Sequence, residues 1–452
     1  MPPADLPRGL DPVSRLAGIL RPPGSKSEAQ RALLAAALAE GVTVIDGLPD
    51  GDDVAACLAL VEECGVSVHR TTPARAFLEG RPPRGENGLA PRRPVLVGES
   101  GTLARLATAA LALAGALGAR VAIHARGSLL LRRSLPLFQA LAAAGVEIAR
   151  QNVAGGWPVE LVACRPPSRL ALVRPASSQE VSALLLAAAA HRGAIEVEVT
   201  GKIPSRPYVA LTRSVLARFG VAVGEDARGA EATSFRVPGP LVAPREILRI
   251  EPDASAAAVA LAGACLSGGE LLVPGLGPGS PQGDVRIALH LAAFGCEARL
   301  DAQGLWARGF PRHGADLDLA GEPDLAPPLA AVAAGAARRH GARSTLRGLG
   351  TLPGKESDRL AVLAGGLARL GLAAEAGADF LAVGPGPAPG SAETVALDPR
   401  GDHRMAFAFA LLGLVVPGVL VQDPGCVAKS WASFWRDLQG AGAVVVEGPA
   451  GR

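Results

Sequence analysis

The chain has 452 residues, of which 49% are hydrophobic and 3% aromatic, and its 45 Lys and Arg residues nearly balance its 42 Asp and Glu residues. This length suits two or three domains, and this hydrophobic content excludes a disordered chain. A formal net charge of +3, without a basic block, argues against a nucleic-acid partner.

The first strong element along the chain is a polar loop that runs into an apolar helix over residues 24–38. Before it, the first ten residues lack the basic and apolar pattern of a signal peptide. Ser25 and Ser27 are helix-capping residues, and the Ala/Leu run that follows them is a strong helix former. The helix N-terminus brings free N–H groups together with Lys26 and Arg31, which predicts binding of a phosphate or carboxylate.

The same arrangement recurs along the chain. A small or polar loop followed by an Ala/Leu-rich helix starts, at intervals of about 70 to 78 residues, near positions 24, 100, 177, 253, 322 and 401. Short β-like runs and second helices, such as 135–144 and 360–370, lie between these helices. The six repeats predict two similar α/β domains of three repeats each. Because the Ala-rich helices are apolar nearly all round, we expect them to be buried, with their N-terminal loops opening onto one face.

The loops before these helices collect cations, hydroxyl groups and a few carboxylates. Only four of the 45 basic residues are lysines, which marks them as candidates for roles that a guanidinium cannot fill. The positive groups of the loops are Lys26, Arg31, Arg105, Lys355, Arg359, Arg404 and Lys429. Asp324 and Glu356 add carboxylates that could transfer protons. The set predicts a site for two anionic small molecules held side by side.

Two further features limit the class of protein. The longest uncharged run, 405–421, is interrupted by Pro417 and Gly418, so it predicts a buried helix and a strand and not a membrane span. The six cysteines form no CxxC pair and have no metal-ligand spacing, which predicts reduced thiols. We therefore expect a cytoplasmic protein.

Eight short motifs, in order, resemble those of the 5-enolpyruvylshikimate-3-phosphate synthases, enolpyruvyl transferases of the shikimate pathway to chorismate and aromatic amino acids. They are GSKSxxxR (24–31), GTxxR (101–105), SSQ (177–179), SRPY (205–208), PD (323–324), KESDR (355–359), DHRM (402–405) and CxxK (426–429). The resemblance covers residues 22–438. It implies two similar domains, each of three βαβαββ units with buried helices, as in an inside-out α/β barrel. Residues 22–248 would form the shikimate 3-phosphate domain, and residues 1–21 with 249–452 the phosphoenolpyruvate domain.

The resemblance also implies the reaction, in which the enolpyruvyl group of phosphoenolpyruvate is transferred to the 5-hydroxyl of shikimate 3-phosphate and phosphate is released. The residues implied for shikimate 3-phosphate are Lys26, Ser27, Arg31, Ser177, Ser178, Gln179, Ser205, Tyr208, Asp324 and Lys355. Those implied for phosphoenolpyruvate are Lys26, Gly101, Arg105, Arg132, Gln179, Arg359, Arg404 and Lys429.

The chemistry of this reaction needs an acid near the methylene carbon and a base near the hydroxyl, and three residues are the candidates for proton transfer. Glu356 is the candidate donor to the methylene carbon, and Asp324 is the group that takes or orients the hydroxyl proton, with Lys26 assisting. No metal or organic cofactor is implied. We expect a monomer that binds neither nucleic acid nor a membrane.

Several residues depart from the family pattern and leave alternatives open, among them Glu28-Ala29-Gln30 and Thr351. Glu99 stands where family members usually carry Asn, and Arg133 stands where Pro is usual. A carboxylate beside a phosphoenolpyruvate site costs on the order of a few kcal/mol unless it is paired. We therefore expect Glu99 to pair with Arg105, Arg132 or Arg133.

One alternative function is enolpyruvyl transfer to another phosphorylated alcohol, and another is anion binding without catalysis. The sister transferase that acts on UDP-N-acetylglucosamine is disfavoured for two reasons. It carries Lys-Asn where this chain has Lys26-Ser27, and it has a loop cysteine that residues 98–133 lack.

Overall fold

The computed structural model describes residues 6–84, 86–229, 231–387 and 394–449. The chain divides into two compact units. We call Gly24–Glu251 the inserted unit, and Met1–Pro23 with Pro252–Arg452 the split unit. The inserted unit extends to residue 251, beyond the predicted boundary at 248, because Leu248–Arg249 form a strand in one of its sheets.

The secondary structure alternates between short strands and helices throughout both units. The strands are β1 (Arg8–Leu10), β2 (Ala17–Ile19), β3 (Val42–Asp46), β4 (Ser67–Thr72), β5 (Arg75–Glu79), β6 (Val95–Leu96), β7 (Arg120–His124), β8 (Glu147–Gln151), β9 (Val159–Val162), β10 (Arg169–Val173), β11 (Ile195–Thr200), β12 (Gly224–Ala227), β13 (Ala232–Val237), β14 (Leu248–Arg249), β15 (Glu270–Val273), β16 (Glu297–Asp301), β17 (Gly304–Arg308), β18 (Asp316–Asp318), β19 (Ser344–Arg347), β20 (Ala373–Ala376), β21 (Phe380–Gly384), β22 (Val395–Leu397), β23 (Val419–Val421) and β24 (Val445–Glu447). The α-helices are α1 (Lys26–Leu38), α2 (Asp52–Glu63), α3 (Gly101–Ala114), α4 (Leu135–Ala143), α5 (Ser178–Ala189), α6 (Pro207–Arg218), α7 (Ala254–Ser267), α8 (Ile287–Ala293), α9 (Ala326–His340), α10 (Arg359–Arg369), α11 (His403–Gly413) and α12 (Phe434–Gly440). Short 3₁₀ turns lie at Gly127–Leu131, Gly283–Arg286, Pro323–Leu325 and Pro424–Lys429.

All six sheets of the described residues share one topology, a parallel pair at one edge followed by two antiparallel strands. In the inserted unit the orders are β14-β3-β5-β4, β6-β7-β9-β8 and β10-β11-β13-β12. In the split unit they are β2-β15-β17-β16, β18-β19-β21-β20 and β22-β23-β1-β24. The predicted fold class, with three repeats in each of two α/β units, is confirmed.

The N-terminal segment is part of the split unit because it completes two of that unit's sheets. Strand β2 pairs in parallel with β15, and β1 lies between β23 and β24. Backbone hydrogen bonds thus join residues near position 10 to residues near position 445. The split unit therefore needs both ends of the described chain.

The helix that follows the parallel edge strand in each repeat is buried, as the Ala-rich composition predicts. Residues 32–38 of α1 are entirely inside the core of the inserted unit, and α3 and α5 share that core. The first turns are capped by side chains that accept a hydrogen bond from a backbone N–H, namely Ser25, Ser100, Ser177, Asp253 and Asp402. Such caps fix where each helix begins, so the loops before them are held rigidly.

The apolar run 405–421 folds as helix α11, a short connection and strand β23, which confirms the prediction. Among the helices of the described residues, none combines the length and the apolar character that crossing a membrane requires. The six cysteines are free thiols, and four of them are buried.

Candidate active site

The first turns of three buried helices in the inserted unit are joined by side-chain hydrogen bonds. Gln30 Nε2, in α1, donates to Ser100 Oγ, the cap of α3, at 2.9 Å. Gln179 Nε2, in α5, donates to Thr102 Oγ1, in α3, at 2.9 Å. The positive ends of these helix dipoles therefore lie near one another, which favours a bound anion.

Arg105 lies at the centre of this region and is 7% exposed. Its Nη1 donates to the Gly101 carbonyl at 2.9 Å and to Gln179 Oε1 at 3.0 Å. Its Nε donates to Ser134 Oγ at 3.0 Å, and its Nη2 to the Arg133 carbonyl at 3.1 Å. These four acceptors are uncharged groups, and their bonds orient the guanidinium.

Gly101 allows two guanidinium groups to approach the start of α3. A Cβ at this position would lie 2.7 Å from Arg132 Nη1 and 2.8 Å from Arg105 Nη1. Both distances are shorter than van der Waals contact, so any side chain would displace the guanidinium groups. The predicted phosphoenolpyruvate residues Gly101, Arg105, Arg132 and Gln179 are thus brought together in this unit.

Glu99 lies beside the same cluster. Arg132 Nη2 donates to the Glu99 carbonyl at 2.9 Å, and Ser128 Oγ donates to the Glu99 carboxylate at 3.3 Å. A Cβ on Gly127 would lie 2.1 Å from Glu99 Oε1, so the carboxylate packs directly against that glycine. The pairing of this carboxylate with a guanidinium stays a prediction.

Two basic residues of the first motif have different environments. Lys26 Nζ lies 3.2 Å from Asp53 Oδ2. The Arg31 guanidinium is 1% exposed, and it donates to Thr212 Oγ1 at 2.7 Å and to the Ser27 carbonyl at 2.8 Å. Burial lowers the pKa of Arg31 to about 10. Arg31 therefore joins α1 to α6 inside the unit, and its predicted contact with a substrate carboxylate stays a prediction.

The predicted shikimate 3-phosphate serines lie at the N-termini of α5 and α6. Ser177 caps α5, and Ser178 is the buried first residue of that helix. Ser205, with a φ of 48°, occupies the left-handed region just before α6, where Tyr208 lies in the first turn. A non-glycine residue in that region is uncommon and is held there by its surroundings.

In the split unit, Asp324 is held by three cations. Its carboxylate lies 2.9 Å from Arg359 Nη1, 3.1 Å from Arg404 Nη2 and 3.5 Å from Lys355 Nζ. Burial alone would raise the pKa of Asp324, but Arg404, Lys355 and Arg359 outweigh it and hold the pKa well below its usual range. Burial also lowers the pKa of Lys355, with Asp324 opposing that change. Asp324 is therefore a weak base but a strong hydrogen-bond acceptor.

Arg359 connects Asp324 to two further carboxylates. Its Nη2 lies 2.7 Å from Glu356 Oε2, and its Nε lies 2.8 Å from Asp402 Oδ2. The other oxygen of Glu356 lies 3.7 Å from Lys429 Nζ. Four motifs that are separate in sequence, PD, KESDR, DHRM and CxxK, thus form one charged network.

A model of the family described as EPSP synthase (3-phosphoshikimate 1-carboxyvinyltransferase) matches residues 10–438 of this chain. The chain belongs to the EPSP synthase family. A protein named 3-phosphoshikimate 1-carboxyvinyltransferase from Ralstonia nicotianae is 34% identical over 448 residues, which are 96% of this chain and 99% of the relative. A protein of the same name from Laribacter hongkongensis is 36% identical, over 94% of this chain and 97% of the relative.

Solved structures support the same placement among EPSP synthases. A structure of EPSP synthase from Acinetobacter baumannii has a TM-score of 0.74 and 25% identity, over 98% of this chain and all of that one. The enolpyruvyl transferase NikO from Streptomyces tendae has a TM-score of 0.71 and 18% identity, which is evidence for a shared fold alone.

Several residues bond to the candidate site residues in the two units, directly or through a serine, but were given no role by the EPSP synthase motifs. They are Asp53, Ser134, Glu180, Ser255, Asp284 and Asp402. Asp402 stands in the DHRM motif, and Glu180 directly follows SSQ, so their positions carried a signal. None of the eight motifs includes Asp53, in the first turn of α2, or Asp284, in the 3₁₀ turn Gly283–Arg286, so the sequence carried no signal for their positions.

Proposed function

We propose that this chain is a 3-phosphoshikimate 1-carboxyvinyltransferase. It transfers the enolpyruvyl group of phosphoenolpyruvate to the 5-hydroxyl of shikimate 3-phosphate and releases phosphate. The observation that carries the proposal is Asp324, a buried carboxylate held ionised by cations from two further motifs. Relatives that carry this name match nearly the whole chain, which supports the same activity.

The reaction needs three proton movements and a strongly cationic environment. The acceptor oxygen bonds to C2 of phosphoenolpyruvate and releases its proton along the hydrogen bond to Asp324, from which that proton leaves with the phosphate. At the same time the methylene carbon, C3, gains a proton from the acid catalyst. The adduct then loses a proton from C3 and phosphate from C2, which restores the double bond. Cations that are already in place stabilise the adduct more than the separate substrates, and this difference lowers the barrier.

Asp324 orients the acceptor in this proposal. Its carboxylate accepts a hydrogen bond from the 5-hydroxyl and points the oxygen at C2. Because neighbouring cations lower its pKa, Asp324 is suited to orientation more than to holding the proton. Lys26 assists at the hydroxyl, and Glu356, next to Lys429, is the candidate proton donor to C3.

The remaining residues bind the two anions. For phosphoenolpyruvate, the proposed residues are Lys26, Gly101, Arg105, Arg132, Gln179, Arg359, Arg404 and Lys429. For shikimate 3-phosphate, the proposed residues are Lys26, Ser27, Arg31, Ser177, Ser178, Gln179, Ser205, Tyr208, Asp324 and Lys355. Guanidinium groups suit these roles because they donate paired hydrogen bonds to carboxylate and phosphate oxygens.

The test is an assay for inorganic phosphate released from shikimate 3-phosphate plus phosphoenolpyruvate, with mass spectrometry of the enolpyruvyl product. Release should require both substrates. Glu356→Gln should lower kcat about 100-fold or more while phosphoenolpyruvate still binds, as expected for loss of an acid catalyst. A wild-type protein that binds phosphoenolpyruvate but releases no phosphate with this acceptor would contradict the proposal.

Glu99 and Arg133 favour one second candidate, a transferase that uses a different phosphorylated alcohol. Both residues belong to the cluster around Arg105 and Arg132. Phosphate release with another phosphorylated alcohol, and not with shikimate 3-phosphate, would support it.

A further inference from the structure

One arginine of the inserted unit is held by a chain of three groups. Arg105 Nε donates to Ser134 Oγ at 3.0 Å, and the Ser134 hydroxyl donates in turn to Glu180 Oε1. The other oxygen of Glu180 accepts from the Ala176 backbone N–H at 2.8 Å. The backbone N–H of Ala176 therefore holds the Glu180 carboxylate in place, and the carboxylate in turn sets the direction of the Ser134 hydroxyl group.

The split unit contains the same arrangement around a different arginine. Arg404 Nη2 donates to Ser255 Oγ at 3.2 Å, and the Ser255 hydroxyl donates to Asp284 Oδ2. We call each of these sets, Glu180–Ser134–Arg105 and Asp284–Ser255–Arg404, a carboxylate–serine–arginine relay.

Both carboxylates of the relays are buried, with Glu180 0% exposed and Asp284 4% exposed. Burial raises the pKa of Glu180, and it raises the pKa of Asp284 to about 7, with Arg404 opposing. Burying an acid in this way works against the stability of the fold. Glu180 and Asp284 thus destabilise the fold, yet each accepts a hydrogen bond from a serine that also contacts an arginine. We therefore consider both acids candidates for a functional role.

The intermediate serine lets each buried acid act on the orientation of the arginine through a neutral group. Arg404 Nη2 also lies 3.1 Å from Asp324 Oδ2, so in that relay the serine supplements a direct ion pair. In a relay, the carboxylate fixes the hydroxyl hydrogen, so that a serine lone pair points at the arginine. Hydrogen bonds in series also polarise one another, which strengthens the bond to the guanidinium.

We propose that the two buried acids are positioning residues for phosphoenolpyruvate binding. Glu180 fixes the orientation of Arg105 through the serine of its relay. Asp284 fixes the orientation of Arg404 in the same way. The identity of the ligand, phosphoenolpyruvate, rests on the proposed function. The hydrogen bonds of the two relays do not depend on it.

The test replaces each acid by its amide in the full-length protein, as Glu180→Gln and Asp284→Asn. The KM for phosphoenolpyruvate should rise about tenfold, with kcat within about twofold, because the arginine stays present but is less well oriented. The Tm at pH 8 should stay the same or rise, because a buried charge is removed. Weaker binding without loss of stability is a result that a purely structural role cannot produce.

A double-mutant cycle checks that the acid acts through the serine. Ser134→Ala and Glu180→Gln should each weaken phosphoenolpyruvate binding, and the double variant should be no weaker than the more affected single variant. Asp437→Asn is the control because Asp437 also accepts from a serine hydroxyl, that of Ser433, together with Trp431, and neither partner is proposed to bind a substrate. It should leave the KM for phosphoenolpyruvate unchanged.

Calorimetric titration with phosphoenolpyruvate alone separates this inference from the proposed function. A wild-type protein that binds phosphoenolpyruvate but releases no phosphate would end the proposed function and leave the relays testable by Kd. An unchanged KM and Kd in both amide variants would overturn the inference while the function stands. The inference would also be overturned if the effects of the two single variants were additive in the cycle, or if the control variant showed an equal increase in KM. A wild-type protein that does not bind phosphoenolpyruvate would overturn it as well.

Discussion

Asp324 Oδ1 lies 2.9 Å from Arg359 Nη1, and both side chains are buried in the split unit. Buried charges of this kind are stable only as a set, since removing one partner leaves the other uncompensated. The pair therefore connects the stability of this unit to the proposed chemistry.

Asp324→Asn should lower kcat about 100-fold or more, because the acceptor hydroxyl loses its charged hydrogen-bond partner. The variant should also melt earlier, because Arg359, Arg404 and Lys355 lose a shared counter-ion. Kinetics and calorimetry on the same preparations measure both effects. Asp316→Asn is the control, since Asp316 forms an exposed pair with Arg347 and its loss should change neither quantity. An Asp324→Asn variant with normal kcat would contradict the orienting role.

Gly101→Ala should raise the KM for phosphoenolpyruvate about tenfold and leave the KM for shikimate 3-phosphate nearly unchanged. The physical reason is that the new methyl group would displace Arg105 and Arg132, whose nitrogens lie within 2.8 Å of it. Gly365→Ala, in helix α10, is the control because no atom outside the adjacent residues and the backbone of its own helix lies within 4 Å of the added Cβ. It should be neutral or slightly stabilising. Equal KM values for wild type and Gly101→Ala would show that the two guanidinium groups do not bind this substrate.

Stability should fall as the pH rises from about 4 to 7, in part because of Asp284. Burial and the neighbouring acids Asp324 and Asp253 raise its pKa to about 7 in the folded state, with Arg404 opposing. The folded protein therefore binds more protons than the unfolded chain in this pH range, so its stability decreases with pH. The difference from the usual value of 3.8 corresponds to at most about 4 kcal/mol.

Melting curves of wild type and Asp284→Asn between pH 4 and 8 check this expectation. The variant should melt higher than wild type at pH 8, and the difference should shrink toward pH 4, which is close to the unfolded-state pKa of 3.8 and well below the folded-state pKa of about 7. Glu28→Gln should behave in the same way, since burial raises the pKa of Glu28 to about 7. A variant that melts lower than wild type at pH 8 would contradict the raised pKa.

Glu99→Gln should lower the KM for phosphoenolpyruvate by about two- to fivefold, because it removes a negative charge from the residue whose backbone carbonyl accepts from Arg132. The effect should shrink at high salt, where charges are screened. Steady-state kinetics at low and high ionic strength measure both. An increase in KM would instead mean that Glu99 holds Arg132 in place.

The repeats and the helix starts could be predicted from the sequence because they depend on local chemistry. Ser25, Ser100 and Ser177 each accept a hydrogen bond from a backbone N–H two or three residues ahead, so each cap is visible in a short window. The Ala-rich composition of the helices also predicts that they are buried on every side, and this composition can be read from a short stretch of sequence. The motifs then pointed to Asp324 and Glu356 as candidate residues in advance.

The relays and the exact division of the chain could not be predicted in this way. Arg105 and Ser134 are 29 positions apart, and Ser134 and Glu180 are 46 apart, so their contacts depend on how the helices pack. The pairing of β1 with β24 joins opposite ends of the chain for the same reason. The sequence by itself determined which residues begin helices and which are buried, because those preferences act between near neighbours. Only the tertiary structure decided which charged groups share hydrogen bonds, because that depends on distances of about 3 Å between residues far apart in the chain.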